Sequence, residues 1–219
     1  MPSTVLAKFE GAMMRDVDRI IDTHSTIQNG SRGNMALGHL TRSGVLLLCA
    51  AWELYIEELL VEAVRVSIDR CSTPDALPQR VRLTIADFVR ESKHQLKPLQ
   101  MAGDGWETIY LEVANKWVSD LNSPKSHNID EMFLKIVGIE NLSASWSHGA
   151  VAVNNFVAAR GDVAHRGSDA GNIHMNVLRD TYKPQICRTA IETDNAISTY
   201  IRASYEPREY PWNRRTLPP

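Results

Sequence analysis

The stretch LTRSGVLLLCAAWELYIEELLVEAVRVSIDR, Leu40 to Arg70, decides the fold class of this chain. Val45, Leu48, Trp52, Tyr55, Leu59, Ala63 and Val66 recur at three- and four-residue steps, the period of one helix face, while Glu53, Glu57, Glu58 and Arg65 fall mostly elsewhere. The spacing predicts one long helix with a buried stripe. Trp52 and Tyr55 on that stripe read as core or as an interface between copies, and the glutamates as a solvated face. The most apolar run, Gly44 to Ala51, is too short to cross a bilayer and continues into the glutamates, so no membrane partner is expected.

Helical spacing extends in both directions. Leu6, Phe9, Met13, Val17, Ile20, His24 and Ile27 predict a helix from about Thr4 to Gln28, stopped by Asn29-Gly30-Ser31-Arg32-Gly33. Beyond Arg70, Ser72-Thr73-Pro74 and Leu77-Pro78 break the pattern. Shorter helices over Thr84 to Leu96 and Trp106 to Leu121 follow, separated by Pro98 and Gly103-Asp104-Gly105. Asn128-Ile129-Asp130-Glu131 has the form of a capping box for a helix over Ile129 to Val137, which Gly138-Ile139 ends. A helix ending near Arg160 comes next. The last helical stretch, Ile173 to Ala203, aligns Ile186, Ala190, Thr193, Ile197 and Tyr200, with Pro184 expected to kink or restart it. Tyr205 to Pro219 is rich in Pro and Arg without a period and reads as a loosely held tail.

With no strand pair and no internal repeat, the chain reads as all-α: long antiparallel helices, an insertion of short helices at about 72–126, one domain over 1–204 and a tail over 205–219. Its 219 residues suffice for a sizeable core. A net charge of −2 argues against a general nucleic-acid coat protein, so any nucleic-acid contact must be local. Cys49, Cys71 and Cys187 share no CxxC spacing and are odd in number, which fits a reducing cytosol better than a disulfide framework or a zinc knuckle. The first residues lack the basic and apolar regions of a signal peptide, so a cytoplasmic location is expected. His127, His148 and His174 lack the spacing of metal ligands, and neither a metal nor another cofactor is expected.

Arg160 is the chemically informative residue. Val153, Phe156, Val157 and Ala164 form an apolar stripe, and Arg160 takes the slot between Val157 and Ala164. A guanidinium on an apolar side calls for an anion or a set of acceptors. Five residues on comes His165, a residue type that changes charge near neutral pH, and then the loop-like Arg166-Gly167-Ser168-Asp169-Ala170-Gly171. Arg and His at a helix end suit a phosphate. Spacing alone is weak evidence: Arg19 and His24 repeat it within the first helix, where an exposed charge and a core histidine account for them, and Arg32 with His39 reads as a solvated turn. Trp106 and Trp117 read as packing of the insertion, with base stacking by either a lesser alternative.

Three blocks in order raise the weight of Arg160 and His165: Ala51 to Leu59, Asn128 to Phe133 through Gly138-Ile139, and Val157-Ala158-Ala159-Arg160-Gly161-Asp162-Val163-Ala164-His165. Together, over roughly Val45 to Ile201, they resemble the ribonuclease-like branch of the HEPN superfamily, which includes the RiboL-PSP-HEPN group. The third block resembles that branch's Arg-x4-6-His hallmark in a setting of the type Arg-Asn-x-Ile-Ala-His-Gly. Gly161 stands where a polar residue follows Arg, and the glycine after His is displaced to Gly167. The resemblance implies an all-α HEPN-like bundle that forms a homodimer, with two such motifs facing one cleft. It also implies a metal-independent endoribonuclease of toxin or phage-defence type, with RNA as substrate and an antitoxin or other inhibitory protein as a possible partner.

Residues five apart on a helix point about 140° away from each other. Arg160 and His165 therefore address one phosphate only if the helix ends between them, which Gly161 favours, and a second copy would complete the acid and base. RNA brings its own nucleophile, the 2′-OH. In that chemistry His165 moves protons, Arg160 stabilises charge on the phosphate, and Asp162 sets the tautomer of His165, orients Arg160 or serves only as an exposed cap. Two other readings stand beside this one: a non-catalytic HEPN dimer that binds RNA, nucleotide or a partner protein, and a helical interaction protein in which Arg160 is structural.

Overall fold

The computed structural model describes residues 1–30, 37–166 and 173–217. In chain order they form α1 (Thr4–Lys8), a π-helical turn (Phe9–Met13), α2 (Arg15–Gly30), α3 (Gly38–Asp69), α4 (Gln79–Glu91), α5 (Gly105–Ser119), α6 (Ser126–Ile136), α7 (Gly149–Arg166), the single turn α8 (Met175–Val177), a second π-helical turn (Leu178–Tyr182) and α9 (Lys183–Ser204). The fold is all-α, with no strand among the described residues.

Helix α3 is the axis of the bundle, in contact with α1, α2, α5, α6, α7 and α9. Being surrounded, it buries more than one stripe: Cys49, Ile56, Leu60 and Val64 are covered along with Val45, Leu48, Trp52, Tyr55, Leu59 and Ala63. The two aromatics are fully buried, and each satisfies its polar tip on a carbonyl, as burial demands. Trp52 Nε1 donates to Pro124 O at 3.2 Å, and Tyr55 Oη donates to Ala190 O at 2.8 Å. Gly44 lets the second π turn approach, since a Cβ there would meet Leu178 Cδ2 at 2.4 Å. No helix of the described residues is long and apolar enough to cross a membrane.

Several expected boundaries move, each for a local physical reason. The first helix is not continuous: the π turn inserts an extra residue, so Met14 and Ile21 reach the core in place of Met13 and Ile20. Its end falls at Gly30, while Ser31, Arg32 and Gly33 of the expected stop lie outside the described residues. Helix α4 starts directly after Pro78, five residues earlier than expected, and ends at Glu91. No capping box forms at Asn128, because α6 begins at Ser126; Ser126 N donates to Asn154 Oδ1 at 2.9 Å and Asn154 Nδ2 donates to Ser126 Oγ at 3.0 Å. A partner helix thus supplies what a local cap would. Gly138 ends that helix at φ +91°, with its N–H on Phe133 O at 2.9 Å. Pro184 restarts the last helix in the first turn of α9, where its missing N–H costs no hydrogen bond.

The tail expectation is overturned. Residues 205–217 are strapped across α9 by Tyr205 and Trp212, both buried. Ser198 Oγ donates to Trp212 O at 2.9 Å, Trp212 Nε1 to Asp194 O at 3.3 Å, and Asn195 exchanges hydrogen bonds with Arg215. Asn213 N also reaches Met1 O at 2.8 Å, tying the two chain ends together. Two buried aromatics make this Pro/Arg-rich segment part of the core, which composition alone does not disclose.

Candidate functional site

Helix α7 buries Val153, Phe156, Val157 and Val163 against the bundle. Arg160 shares their direction, and cover thins around it: Val163 stays buried while Ala164, one turn on, is exposed. The guanidinium caps the end of the stripe with its side chain 38% exposed, Nη2 lying 4.0 Å from Glu53 Oε2 on α3. Among the described residues no main-chain oxygen holds it. Beneath the pair, burial pushes the Cys49 thiol up to about 11, with Arg160 pulling the other way.

The helix does not end between Arg160 and His165. It runs unbroken to Arg166, because Gly161 sits in ordinary helical backbone and the N–H ladder continues through it. His165 therefore projects about 140° from Arg160, out into solvent on the last turn. Asp162 is exposed on the His165 side and pairs with Arg166 at 3.9 Å, so the structure brings it to neither Arg160 nor His165. The loop expected at Gly167 to Gly171 lies outside the described residues.

Glu53 was read as part of a solvated face and is instead half-buried against Arg160. Its neighbour Glu57 is held above the ordinary carboxylate range by burial and then by the Glu53 and Glu58 charges. Glu58 itself pairs with Lys8. Beside Glu53 the outer side of α3 exposes Leu46, Leu47, Ala50 and Leu54. Leu46 and Leu47 sit in the apolar run Gly44 to Ala51, and the i, i+4, i+8 set at 46, 50 and 54 is a second stripe, legible in the sequence but eclipsed by the first.

The rival pair behaves as expected for bystanders: Arg19 bonds Asp16 at 3.3 Å on an exposed face and His24 is half-buried. Arg32 lies outside the described residues, and His39 is exposed in the first turn of α3. Trp106 is buried in α5, while Trp117 lies half-buried on the wall of a 450 Å³ cavity between α4, α5 and α6. His127, His148 and His174 are exposed, and among the described residues no three His, Cys, Asp or Glu side chains gather as a metal site.

The model of the RiboL-PSP-HEPN family matches residues 14–199, which takes in the chain from α2 to the last turns of α9. No curated protein and no solved structure matches the chain.

Proposed function

The chain belongs to the RiboL-PSP-HEPN family, and from that premise we propose that it is a metal-independent endoribonuclease whose site is completed by a second copy of itself. The observation that carries this reading is the end of α7. A permanently charged side chain stands half-exposed at the edge of the core with one carboxylate 4.0 Å away, and a histidine follows one turn on in open solvent.

A divergence of about 140° keeps Arg160 and His165 of one subunit from closing on one phosphate. A two-fold dimer removes the difficulty by presenting a second Arg160 and a second His165 to the same groove. The strip of Leu46, Leu47, Ala50 and Leu54 bordering Glu53 supports that arrangement, since an exposed apolar face beside a charged pair is the composition of an interface core and its rim.

In the proposed reaction the RNA 2′-oxygen attacks the adjacent phosphorus while one His165 takes the 2′-OH proton. The bond from phosphorus to the 5′-oxygen breaks, and the other His165 gives that oxygen a proton. The products are a 2′,3′-cyclic phosphate and a free 5′-OH. Arg160 offsets charge gathering on the phosphoryl oxygens, and Glu53 holds the guanidinium at the groove edge as a positioning residue. Asp162 acts through Arg166 and the last turn of α7. A toxin or phage-defence role in the cytoplasm, restrained by an antitoxin-like protein, completes the proposal and rests on the family alone.

The test is incubation of the purified chain with end-labelled single-stranded RNA in EDTA. Fragments ending in a 2′,3′-cyclic phosphate are expected, and Arg160→Ala and His165→Ala are expected to abolish them with helix content unchanged. Cleavage retained by either variant refutes the assignment. A second reading, a non-catalytic dimer that binds RNA, draws on Gly161: the residue after Arg160 carries no polar side chain, and a Cβ there would meet nothing within 4 Å among the described residues. Binding without cleavage in the same assay selects it.

A further inference from the structure

The C-terminal strap builds a cationic surface at the far end of the bundle. Arg70, at the end of α3, holds Pro207 O and Glu209 O through Nη1 at 3.0 and 2.9 Å, which fixes the turn of the strap. Above it the Arg202 guanidinium lies 4.6 Å from the Tyr210 ring centroid and donates to Tyr210 Oη at 3.1 Å. Arg214 approaches the same hydroxyl, and it and Arg202 together lower the Tyr210 phenol below its ordinary range. Arg202 and Arg208 line a shallow concavity of 250 Å³ with Thr199 and Ala203. Arg215 is engaged by Glu10 at 3.3 Å, whereas Arg208 pairs with Glu206 at 2.9 Å in an exposed contact, of a kind that a phosphate readily displaces.

In a chain of net charge −2, two arginines on the exposed Tyr210 with Arg208 beside one of them outnumber Glu206 and Glu209 of the same strap and make a local exception. Single-stranded RNA matches this set on both counts: guanidiniums take its phosphates, and an aromatic ring takes an unstacked base. A flat anionic surface would use the charge and leave Tyr210 without a role. We propose that Arg202, Arg208, Arg214 and Tyr210 form an anchoring site for single-stranded RNA, separate from the scissile phosphate. Counted along α3 from Glu53 to Arg70, the anchor stands about 25 Å from the Arg160 end. The proposal rests on RNA being the substrate, and it deepens that reading by placing recognition away from the chemistry.

The experiment measures fluorescence anisotropy of a fluorescein-labelled 2′-O-methyl oligouridylate, which lacks the nucleophile and stays intact, titrated with the full chain at several salt concentrations. Arg208→Glu/Arg214→Glu is expected to raise Kd at least tenfold and to flatten the dependence of log Kd on log salt by about 1.4, the value for two lost phosphate contacts. Tyr210→Ala is expected to raise Kd about fivefold or more, and Tyr210→Phe to leave it unchanged, since stacking needs only the ring. Arg19→Ala, an arginine on an exposed face of α2 outside both sites, should bind like the parent chain. The Arg208 and Arg214 side chains take no part in the Trp212, Ser198 and Asn213 bonds that hold the strap, so melting temperatures should agree. Unchanged Kd and salt slope in the double variant overturn the anchor, as does binding to vesicles containing phosphatidylserine with none to the oligonucleotide. Binding lost in the double variant, with no cleavage of unmodified RNA by the parent, keeps the anchor and removes the nuclease reading. Cleavage intact with binding unaltered in the double variant does the reverse.

Discussion

Arg160 on α7 and Asp194 on α9 both lie on the core side of a helix, yet one reaches solvent and the other does not. Arg160 stands near the end of its helix's buried stripe, and its long stem carries the charge to the edge beside Glu53. Asp194 has one methylene and sits mid-helix beneath the C-terminal strap, fully buried, with Ser3 and Trp212 facing its carboxyl. Burial pushes its carboxyl up to about 6, with nearby Ser3 opposing and the Glu62 charge adding. The contrast separates a charge placed at an edge, where it can act on something, from a charge enclosed in the core, where it weakens the fold.

Four experiments break or sharpen that contrast. The largest effect belongs to the strap: Trp212→Ala should cost about 3–5 kcal/mol in chemical denaturation and open residues 205–217 to protease, because it empties a buried aromatic site over Asp194. Next, Arg160→Ala should remove detectable RNA cleavage, a drop of at least about 10³-fold in single-turnover assays, while moving stability by less than about 1 kcal/mol. A comparable loss of stability would show that Arg160 is structural and would erase the distinction.

Asp194→Asn comes third, and its sign follows from the raised folded-state value. The protonated form suits the buried site, so the wild type carries no penalty below the unfolded carboxyl range near 4 and loses stability as pH rises through about 6. Thermal melts at pH 8 should therefore favour the Asn variant by about 3 kcal/mol, and the two curves should meet near pH 4. Equal melting at both pH values would place compensating partners around the carboxylate. The smallest effect is Gly161→Asn, which has open space around its Cβ. It should add a few tenths of a kcal/mol through helix propensity, and raised cleavage by the same variant would mark Gly161 as the weak point of the site.

Much of the architecture was legible because it is local. The α3 stripe, the restart at Pro184 and the glycine stop at Gly138 each follow from residues within a few positions of one another. Arg160 and His165 stand out in the sequence through the same kind of local spacing. Glu53 was misjudged, since its partner lies more than a hundred residues away on α7. The strap was missed because a Pro- and Arg-rich segment has no period to read, and its order comes from seats on α9 for Tyr205 and Trp212.

By itself the sequence determined the class of fold and the axis helix, because backbone propensity and apolar spacing act over one or two turns. Only the tertiary structure decided where the bundle ends along α7, and so which charge meets water. It also decided which leucines of α3 stay uncovered and how an aperiodic tail becomes part of the core. Those outcomes depend on which distant surfaces compete to cover a side chain, a quantity that no single stretch of sequence contains.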